Sequence, residues 1–251
     1  MTADAKHPKR VALISNAGSY VGPALARELA TCGHDLVLHS PSADDVAFLK
    51  DNGTAVEVIA SSDLTTAAGN RALVQASLDR FGRLDAACFV TGEIVLGPFL
   101  ESTEADWERV KTTNLDMVFH ALRAALPPMI AAGSGQIVVF TSAAGARPEP
   151  RVSLYGATRA GANALVRAVG LEYAKHGVCV NAIGTNFMDF PGFIQANRAD
   201  DPARRARIEA QVPARRLGSM DELAAFTRVL LDGRSRFQTG QFFSFSGGWS
   251  T

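Results

Sequence analysis

The sequence predicts an α/β fold in which a doubly wound parallel sheet of seven strands carries helices on both faces. Seven short aliphatic runs alternate with longer segments of helical periodicity. Strand followed by helix, repeated along a chain, is the pattern of a parallel sheet. The runs are continuously apolar, which is typical of strands buried on both faces. No internal repeat or low-complexity tract interrupts this alternation.

The order of elements follows from these runs. The predicted strands are VALIS at 11–15, DLVLH at 35–39, AVEVIA at 55–60, AACFV at 86–90, QIVVF at 136–140, VCVNAI at 178–183 and QFFSF at 241–245. The clearest helical segments are 23–31, 73–81, 107–129, 160–173 and 220–231. The stretch 185–202 mixes Gly, Pro and Asn with aromatic residues, which indicates a loop at the sheet edge where ligands of open α/β sheets bind.

Length and composition predict one domain over residues 1–251, because 47% hydrophobic residues suffice for a single large core. Lys+Arg and Asp+Glu both number 25, so the net charge of +0 argues against nucleic acid or an anionic membrane as partner. The polar start contains only the apolar run Val11 to Ile14, which is too short for a secretory or membrane segment. We therefore expect a cytoplasmic protein.

Cysteine usage predicts neither a disulfide framework nor a metal site. Cys32, Cys88 and Cys179 are scattered, and neither a CxxC pair nor a histidine cluster accompanies them. We interpret them as reduced packing residues.

The turn after the first strand, from Ser15 to Gly22, stands where a nucleotide-binding α/β fold has its glycine-rich phosphate loop. Glycines are needed in that loop because the backbone must approach a pyrophosphate closely at a helix N-terminus. Here Tyr20 and Asn16 occupy two positions at which glycine is expected. An isolated tyrosine is usually a packing residue, but its place in this turn indicates that it fills the phosphate site.

The end of the second strand lacks the other element of dinucleotide recognition. His39 and Ser40 stand there, and neither can bind a ribose diol as a carboxylate does. The sequence therefore predicts no nicotinamide cofactor.

A Ser, Tyr and Arg set indicates acid–base chemistry on an oxygen atom. Ser142 ends the fifth strand, and Tyr155 and Arg159 are four residues apart, on one face of a helix. A permanent cation near a phenol favours the phenolate form. Ser142 can donate a hydrogen bond to a substrate oxygen while Tyr155 exchanges its proton. A bare YxxxR is commonly a weak surface pair, but the strand context and Ser142 favour a catalytic site.

These features resemble the short-chain dehydrogenase/reductase superfamily, whose fold is Rossmann-like, over essentially the whole chain. The resemblance rests on Ser142 thirteen positions before Tyr155, on Asn114 within TTNLD, and on the TGQFF and GG tail. Ordinary members have lysine where this chain has Arg159, glycine where it has Tyr20, Asn-Asn-Ala-Gly at 89–92 and Pro-Gly at 185–186. These departures are similar to the halohydrin dehalogenases, a branch that uses the fold without a nicotinamide cofactor.

The resemblance implies both a site and a reaction. Ser142, Tyr155 and Arg159 match the catalytic triad of the dehalogenases. The implied halide or nucleophile pocket consists of Tyr20, Thr185, Asn186, Phe187, Met188 and Phe193. Asn186, Phe187 and Met188 match the stretch whose backbone amides face the halide in that branch. Thr185 replaces a frequent proline of the branch. Asn114 and Asp63 match oxidoreductase positions and are interpreted here as structural features of the fold.

The implied activity is conversion of vicinal halohydrins to epoxides with release of halide and a proton, and the reverse opening of epoxides by azide, cyanide or nitrite. The resemblance also implies a homotetramer. Two alternatives remain open at this stage. One is an NAD(P)-dependent oxidoreductase whose unusual turn still admits the cofactor, which NADH binding would reveal. The other is a non-catalytic ligand-binding protein, since a fold alone does not decide function.

Overall fold

Seven parallel strands form one sheet, as the sequence predicts, and their order across it is β3-β2-β1-β4-β5-β6-β7. The structure, a computed structural model, describes residues 9–250. The strands are β1 (Arg10–Ile14), β2 (His34–His39), β3 (Val56–Ile59), β4 (Ala86–Val90), β5 (Gly135–Ser142), β6 (Val178–Thr185) and β7 (Phe242–Phe245). The chain direction across the sheet switches between β1 and β4, the place where folds of this class open a ligand crevice.

Helices cover both faces of this sheet. They are α1 (Gly22–Thr31), α2 (Ala43–Asp51), α3 (Ala67–Phe81), α4 (Glu104–Lys111), α5 (Met117–Ala131), α6 (Ser153–Tyr173), α7 (Pro191–Asn197), α8 (Pro202–Glu209) and α9 (Met220–Leu231). One core packs α3, α5 and α6 against the sheet, and the other packs α1, α2 and α9 against its opposite face. The all-buried strands β4 and β5 lie between the two cores.

The predicted helix over 107–129 is instead two helices. A π-helical turn, Thr112–Asp116, separates α4 from α5 and carries the buried Asn114. The apolar period continues through this turn, so periodicity alone did not reveal it. The helix predicted over 160–173 begins earlier, at Ser153.

The predicted loop over 185–202 contains the short helix α7 and the first residue of α8. Each helix begins at a proline, Pro191 and Pro202, which is favoured in a first helical turn. Helix α2 lacks a strong apolar stripe and was not predicted. Its sequence signal is Ser42, whose side chain accepts a hydrogen bond from the Asp45 amide at 3.1 Å.

No helix within residues 9–250 is both long enough and apolar enough to cross a membrane. The three cysteines are free thiols, and Cys88 and Cys179 are buried. The described part of the chain holds no cluster of His, Cys, Asp and Glu suited to a metal ion.

Candidate active site

The carboxyl ends of β5 and β6 place Ser142 beside Thr185. The two residues are direct partners in the parallel register, and the Ser142 Oγ donates to the Thr185 carbonyl at 3.5 Å. The same Oγ accepts from the Ala144 amide at 3.1 Å. Ser142 is therefore held at the sheet edge with its hydroxyl turned toward β6.

A tight turn, Ala143–Gly145, holds Ser142 against helix α6. A Cβ atom on Gly145 would lie 2.7 Å from the backbone carbon of Arg159, so only glycine permits this approach. Tyr155 lies on the first turns of α6, and the Arg159 Cζ is 5.3 Å from the centre of the Tyr155 ring. The structure thus brings the Tyr–Arg pair to the strand end that carries Ser142.

Arg159 is buried, with 4% of its surface exposed. Its guanidinium donates to the Thr91 hydroxyl at 3.1 Å, to the Phe140 carbonyl at 3.4 Å and to the Thr91 carbonyl. Its Nε is buried without a hydrogen-bond partner. Among residues 9–250 no carboxylate pairs with it, so the site carries a buried positive charge.

Gly92 makes room for this guanidinium, a role that sequence reasoning missed. Its φ is +109°, and a Cβ there would lie 1.7 Å from the Arg159 Nη2 and 2.2 Å from the Asn114 Oδ1. In the sequence, Gly92 only keeps the last residue of the superfamily's Asn-Asn-Ala-Gly, and that match does not reveal the contact with Arg159.

Tyr20 reaches from the first turn to the end of β6. Its hydroxyl donates to the Thr185 Oγ1 at 2.6 Å. Its ring makes edge contacts with Phe140, at 6.0 Å between ring centres, and with Phe190, at 4.9 Å. Burial raises the pKa of the Tyr20 phenol above its ordinary value, more than its hydrogen bond with Thr185 lowers it.

The backbone of the first turn keeps the conformation that glycine favours. Asn16 and Tyr20, which stand at expected glycine positions, have φ angles of 48° and 51°. A left-handed conformation is uncommon for a residue other than glycine, and for a bulky one it costs on the order of 1 kcal/mol or more. Tyr20 therefore keeps a backbone conformation that is unfavourable for a bulky residue.

Of the Phe187 and Met188 amides in the loop after β6, one is engaged within the protein. The Phe187 amide, expected to face an anion, donates to the Asn186 Oδ1 at 2.9 Å. The buried Met188 forms a bridge with Gly218, and among the described residues its amide donates no backbone hydrogen bond. Phe193 packs on Phe187 with ring centres 6.3 Å apart.

Two further residues stand at superfamily positions. Asn114 is fully buried and exchanges hydrogen bonds with the backbone of Glu93, at 2.8 Å to its carbonyl and 3.2 Å from its amide. Both polar groups of its side chain are thereby used in holding the loop after β4. Asp63 accepts from the amide and hydroxyl of Thr65, at 3.0 and 2.6 Å. Both contacts are local and structural.

The C-terminal tail adds a wall that the sequence did not predict. Trp249 is 6% exposed and lies 5.7 Å from Phe187 between ring centres. The Arg147 guanidinium stacks over the Trp249 ring at 4.6 Å. These contacts join segments far apart in sequence, so no local pattern announced them.

A cavity of about 220 Å³ borders the loop after β6. Met188, Val212 and Phe245 line it together with other residues of the loop and of β7, whereas the Ser142, Tyr155 and Arg159 side chains do not. The cavity therefore adjoins the implied anion pocket and does not include the three residues predicted to be catalytic.

Comparison with known proteins places this chain in a family. Residues 17–250 match the family described as enoyl-(acyl carrier protein) reductase. The chain is 29% identical to D-beta-hydroxybutyrate dehydrogenase of Rhizobium meliloti, over 96% of this chain and 98% of that protein. It is 30% identical to 2-keto-3-deoxy-L-fuconate dehydrogenase of Xanthomonas campestris, over 95% of this chain and 79% of that protein.

A solved structure agrees with these relatives. Levodione reductase superposes with a TM-score of 0.86 at 29% identity, covering 95% of this chain and 96% of that one. The names of all three proteins describe oxidoreductases.

Proposed function

This chain belongs to the short-chain dehydrogenase/reductase family, and we propose that it turns the Ser–Tyr site of that fold to a reaction without hydride transfer. The proposed reaction converts a vicinal halohydrin to an epoxide and releases halide and a proton. The catalytic groups are Ser142, Tyr155 and Arg159. The relatives support an enzyme of the oxidoreductase family. The dehalogenase activity is proposed in addition.

The observation that carries the proposal is the path of Tyr20 across the crevice. In folds of this class a dinucleotide lies on the first turn, with its pyrophosphate at the N-terminus of the first helix. Here the Tyr20 side chain runs from that turn to Thr185 and packs between Phe140 and Phe190. His39 and Ser40 at the end of β2 offer no carboxylate to a ribose. These residues do not fit a nicotinamide dinucleotide.

The buried charge of Arg159 supports an anionic partner at the site. A buried cation is unfavourable unless an opposite charge or several hydrogen bonds compensate it. Neutral oxygens of Thr91 and Phe140 contact the guanidinium, and its Nε is left over. A phenolate on Tyr155, whose ring lies 5.3 Å from the Cζ, would supply the missing negative charge.

The chemical step balances without a redox partner. Ser142 donates a hydrogen bond to the substrate hydroxyl, and the Tyr155 phenolate removes its proton. The resulting alkoxide oxygen attacks the adjacent carbon from the side opposite the halogen, forming the new C–O bond. The C–halogen bond breaks and its electron pair leaves with the halide. Tyr155 ends protonated and passes this proton to solvent.

The departing anion needs donors in an otherwise apolar pocket. The Met188 amide lies in the loop after β6, and the rings of Tyr20 and Phe187 would form apolar walls beside the departing halide. Chloride and bromide lose less on leaving water than smaller anions do, so they suit such a site. In reverse, azide, cyanide or nitrite would occupy this place and open an epoxide, and Tyr155 would protonate the new alkoxide.

Halide release from a simple vicinal bromohydrin, followed together with proton release, tests the proposal. We expect equal amounts of bromide and protons from the purified protein without added cofactor. Absence of bromide release from folded protein would contradict the assignment.

A second candidate function is that of an NAD(P)-dependent oxidoreductase, which the names of the relatives favour. It requires Tyr20 to leave the crevice and Arg159 to serve where most members have lysine. Oxidation of an alcohol with reduction of NAD or NADP, together with no bromide release from the bromohydrin, would establish it.

A further inference from the structure

We infer that the Thr185 hydroxyl is a hydrogen-bond donor to the bound anion and that the Tyr20 hydroxyl holds it in that role. Thr185 would then determine anion specificity, and Tyr20 would be a positioning residue. This inference rests on the proposed function, since it assigns a donor to the same halide pocket.

Thr185 occupies the junction between the catalytic strand end and the Tyr20 side chain. It is the last residue of β6 and pairs in register with Ser142. Its carbonyl accepts from the Ser142 hydroxyl at 3.5 Å, and its Oγ1 accepts from the Tyr20 hydroxyl at 2.6 Å. A single residue therefore contacts both the proposed catalytic serine and the residue that fills the crevice.

The direction of the Tyr20–Thr185 hydrogen bond leaves a proton to spare. A threonine hydroxyl has one proton and two lone pairs. Because Tyr20 donates to one lone pair, the Thr185 proton points elsewhere, and no acceptor for it is found among residues 9–250. Thr185 is half-buried and directly precedes Asn186, which lines the cavity of about 220 Å³ beside the loop.

The environment of Tyr20 keeps this direction fixed. Burial raises the pKa of the Tyr20 phenol above its ordinary value, so the group stays protonated and remains a donor over the neutral range. Packing against Phe140 and Phe190 limits rotation of the ring. The Thr185 hydroxyl is thus prepared as a donor before any anion arrives.

The neighbouring loop makes this donor necessary. The Phe187 amide is already used by the Asn186 side chain, so of the Phe187 and Met188 amides only that of Met188 can bind an anion. One amide is a small replacement for the hydration of an anion. A hydroxyl at Thr185 supplies a second donor on the side of the pocket nearest Ser142.

Anion size gives the inference a distinctive signature. The attraction between a donor proton and an anion grows as their separation falls, so chloride gains more from the hydroxyl than the larger bromide does. Loss of the donor should therefore weaken chloride more than bromide. A purely structural defect in the pocket would not produce that order.

The experiment measures chloride and bromide binding by NMR line broadening of the two anions, without organic substrate. Thr185→Val keeps the shape and removes the hydroxyl, and we expect about tenfold weaker chloride binding, the size of one hydrogen bond to a charged group. Thr185→Ser should bind chloride within about twofold of the unaltered protein, because it restores the donor. Thr31→Val, an exposed change on α1, is the control and should bind as the unaltered protein does.

The role of Tyr20 is tested by coupling. Tyr20→Phe removes only the hydroxyl and should weaken chloride binding about threefold, because the Thr185 proton is no longer held toward the anion. Adding Tyr20→Phe to Thr185→Val should cause no further loss. Fully additive losses, or unchanged chloride binding in Tyr20→Phe, would overturn the positioning role.

The two levels of the hypothesis fail differently. Bromohydrin turnover by the unaltered protein together with unchanged chloride binding in folded Thr185→Val overturns this inference and leaves the proposed function standing. Absence of turnover in the unaltered protein overturns the proposed function, whatever the anion titrations give. If Thr185→Val does not fold, the Tyr20→Phe and Thr185→Ser titrations decide the inference.

Discussion

At the scale of single residues, the site depends on side chains that compensate one another. Arg159 brings a charge into the interior without a carboxylate partner among residues 9–250, and Gly92 lacks the Cβ that would overlap its guanidinium. Tyr155 faces this charge from the same helix. The chemistry proposed for the site therefore depends on Thr91 and Gly92 after β4 and on Phe140 in β5, as well as on the Ser–Tyr–Arg set itself.

Removing the Tyr155 hydroxyl should stop the reaction and leave the fold unchanged. Tyr155→Phe deletes the group that accepts the proton, so bromide release should fall at least about a hundredfold, the lower range for general acid–base catalysis. Circular dichroism should match the unaltered protein. Turnover near the original rate would refute the role of Tyr155.

Replacing Arg159 by lysine should change the pH profile. Arg159→Lys keeps a cation but loses the planar fork that contacts Thr91 and Phe140. A lysine can lose its charge at alkaline pH, so activity should decline at lower pH on the alkaline side than in the unaltered enzyme. An identical profile at reduced rate would show that the charge does not tune the reaction.

Gly92→Ala should unfold or displace the site. The new Cβ would overlap the guanidinium at 1.7 Å on a backbone with φ +109°. We expect a loss of about 2–4 kcal/mol in the free energy of unfolding by urea, the range of overpacking and strained backbone together. Gly97→Ala, where a Cβ meets nothing within 4 Å, is the matched control and should change it little.

At the scale of elements, regular periodicity predicted the strands better than the joints between helices. The seven apolar runs became seven strands in one sheet. The π-turn at Thr112–Asp116 and the helices α2, α7 and α8 were not predicted. A π-turn inserts its extra residue without breaking the apolar pattern, and the short helices depend on caps and prolines, as Ser42 and Pro191 show.

The same limit applies to the site. Ser142, Tyr155 and Tyr20 could be found because each stands next to a predicted strand or turn. Gly92 and Trp249 could not, because their contacts arise only when β4, the loop after β6 and the C-terminal tail meet. The engaged state of the Phe187 amide depends on one side-chain rotamer of Asn186, which no sequence pattern specifies.

The buried His34, at the amino end of β2, predicts that the stability of the protein falls in acid. The Arg10 Nε donates to the His34 Nε2 at 3.1 Å, and the His34 Nδ1 lies 3.2 Å from the Leu29 carbonyl. Burial first, and then the nearby Arg10 charge, lower the pKa of His34 below its ordinary 6.5. Below pH 6.5 His34 therefore binds a proton more readily in the unfolded chain than in the folded protein. The contribution of neutral His34 to the free energy of unfolding is present above pH 6.5 and is lost as the pH falls below that value.

Urea unfolding across this range should show the loss, and His34→Gln should reduce its slope because the titrating group is gone. His176→Gln, a change at an exposed position, is the control and should leave the slope unchanged. Equal slopes in the unaltered protein and in His34→Gln would assign the acid response to other groups.

At the scale of the whole molecule, the fold is that of the family, but the Tyr20 side chain lies in the crevice where a dinucleotide would bind. A dinucleotide that bound the folded state would stabilise it by about 2.7 kcal/mol at a hundred times its dissociation constant. We expect NADH and NADPH to leave the melting temperature unchanged. A rise that follows the nucleotide concentration would favour the oxidoreductase function and count against the role given to Tyr20.

The hydrogen bond between Tyr20 and Thr185 has a consequence for loop dynamics. It links the half of the sheet that contains β1 to the half that contains β6, across the point between β1 and β4 where the strand order reverses. The link is made by two side chains of the protein itself. Where a fold relies on a diffusible ligand to join these halves, their order varies with the supply of that ligand. Here the link is a hydrogen bond within the protein, so it does not depend on a ligand. The amides of the loop after β6 should therefore exchange with deuterium equally slowly whether or not a nucleotide is present.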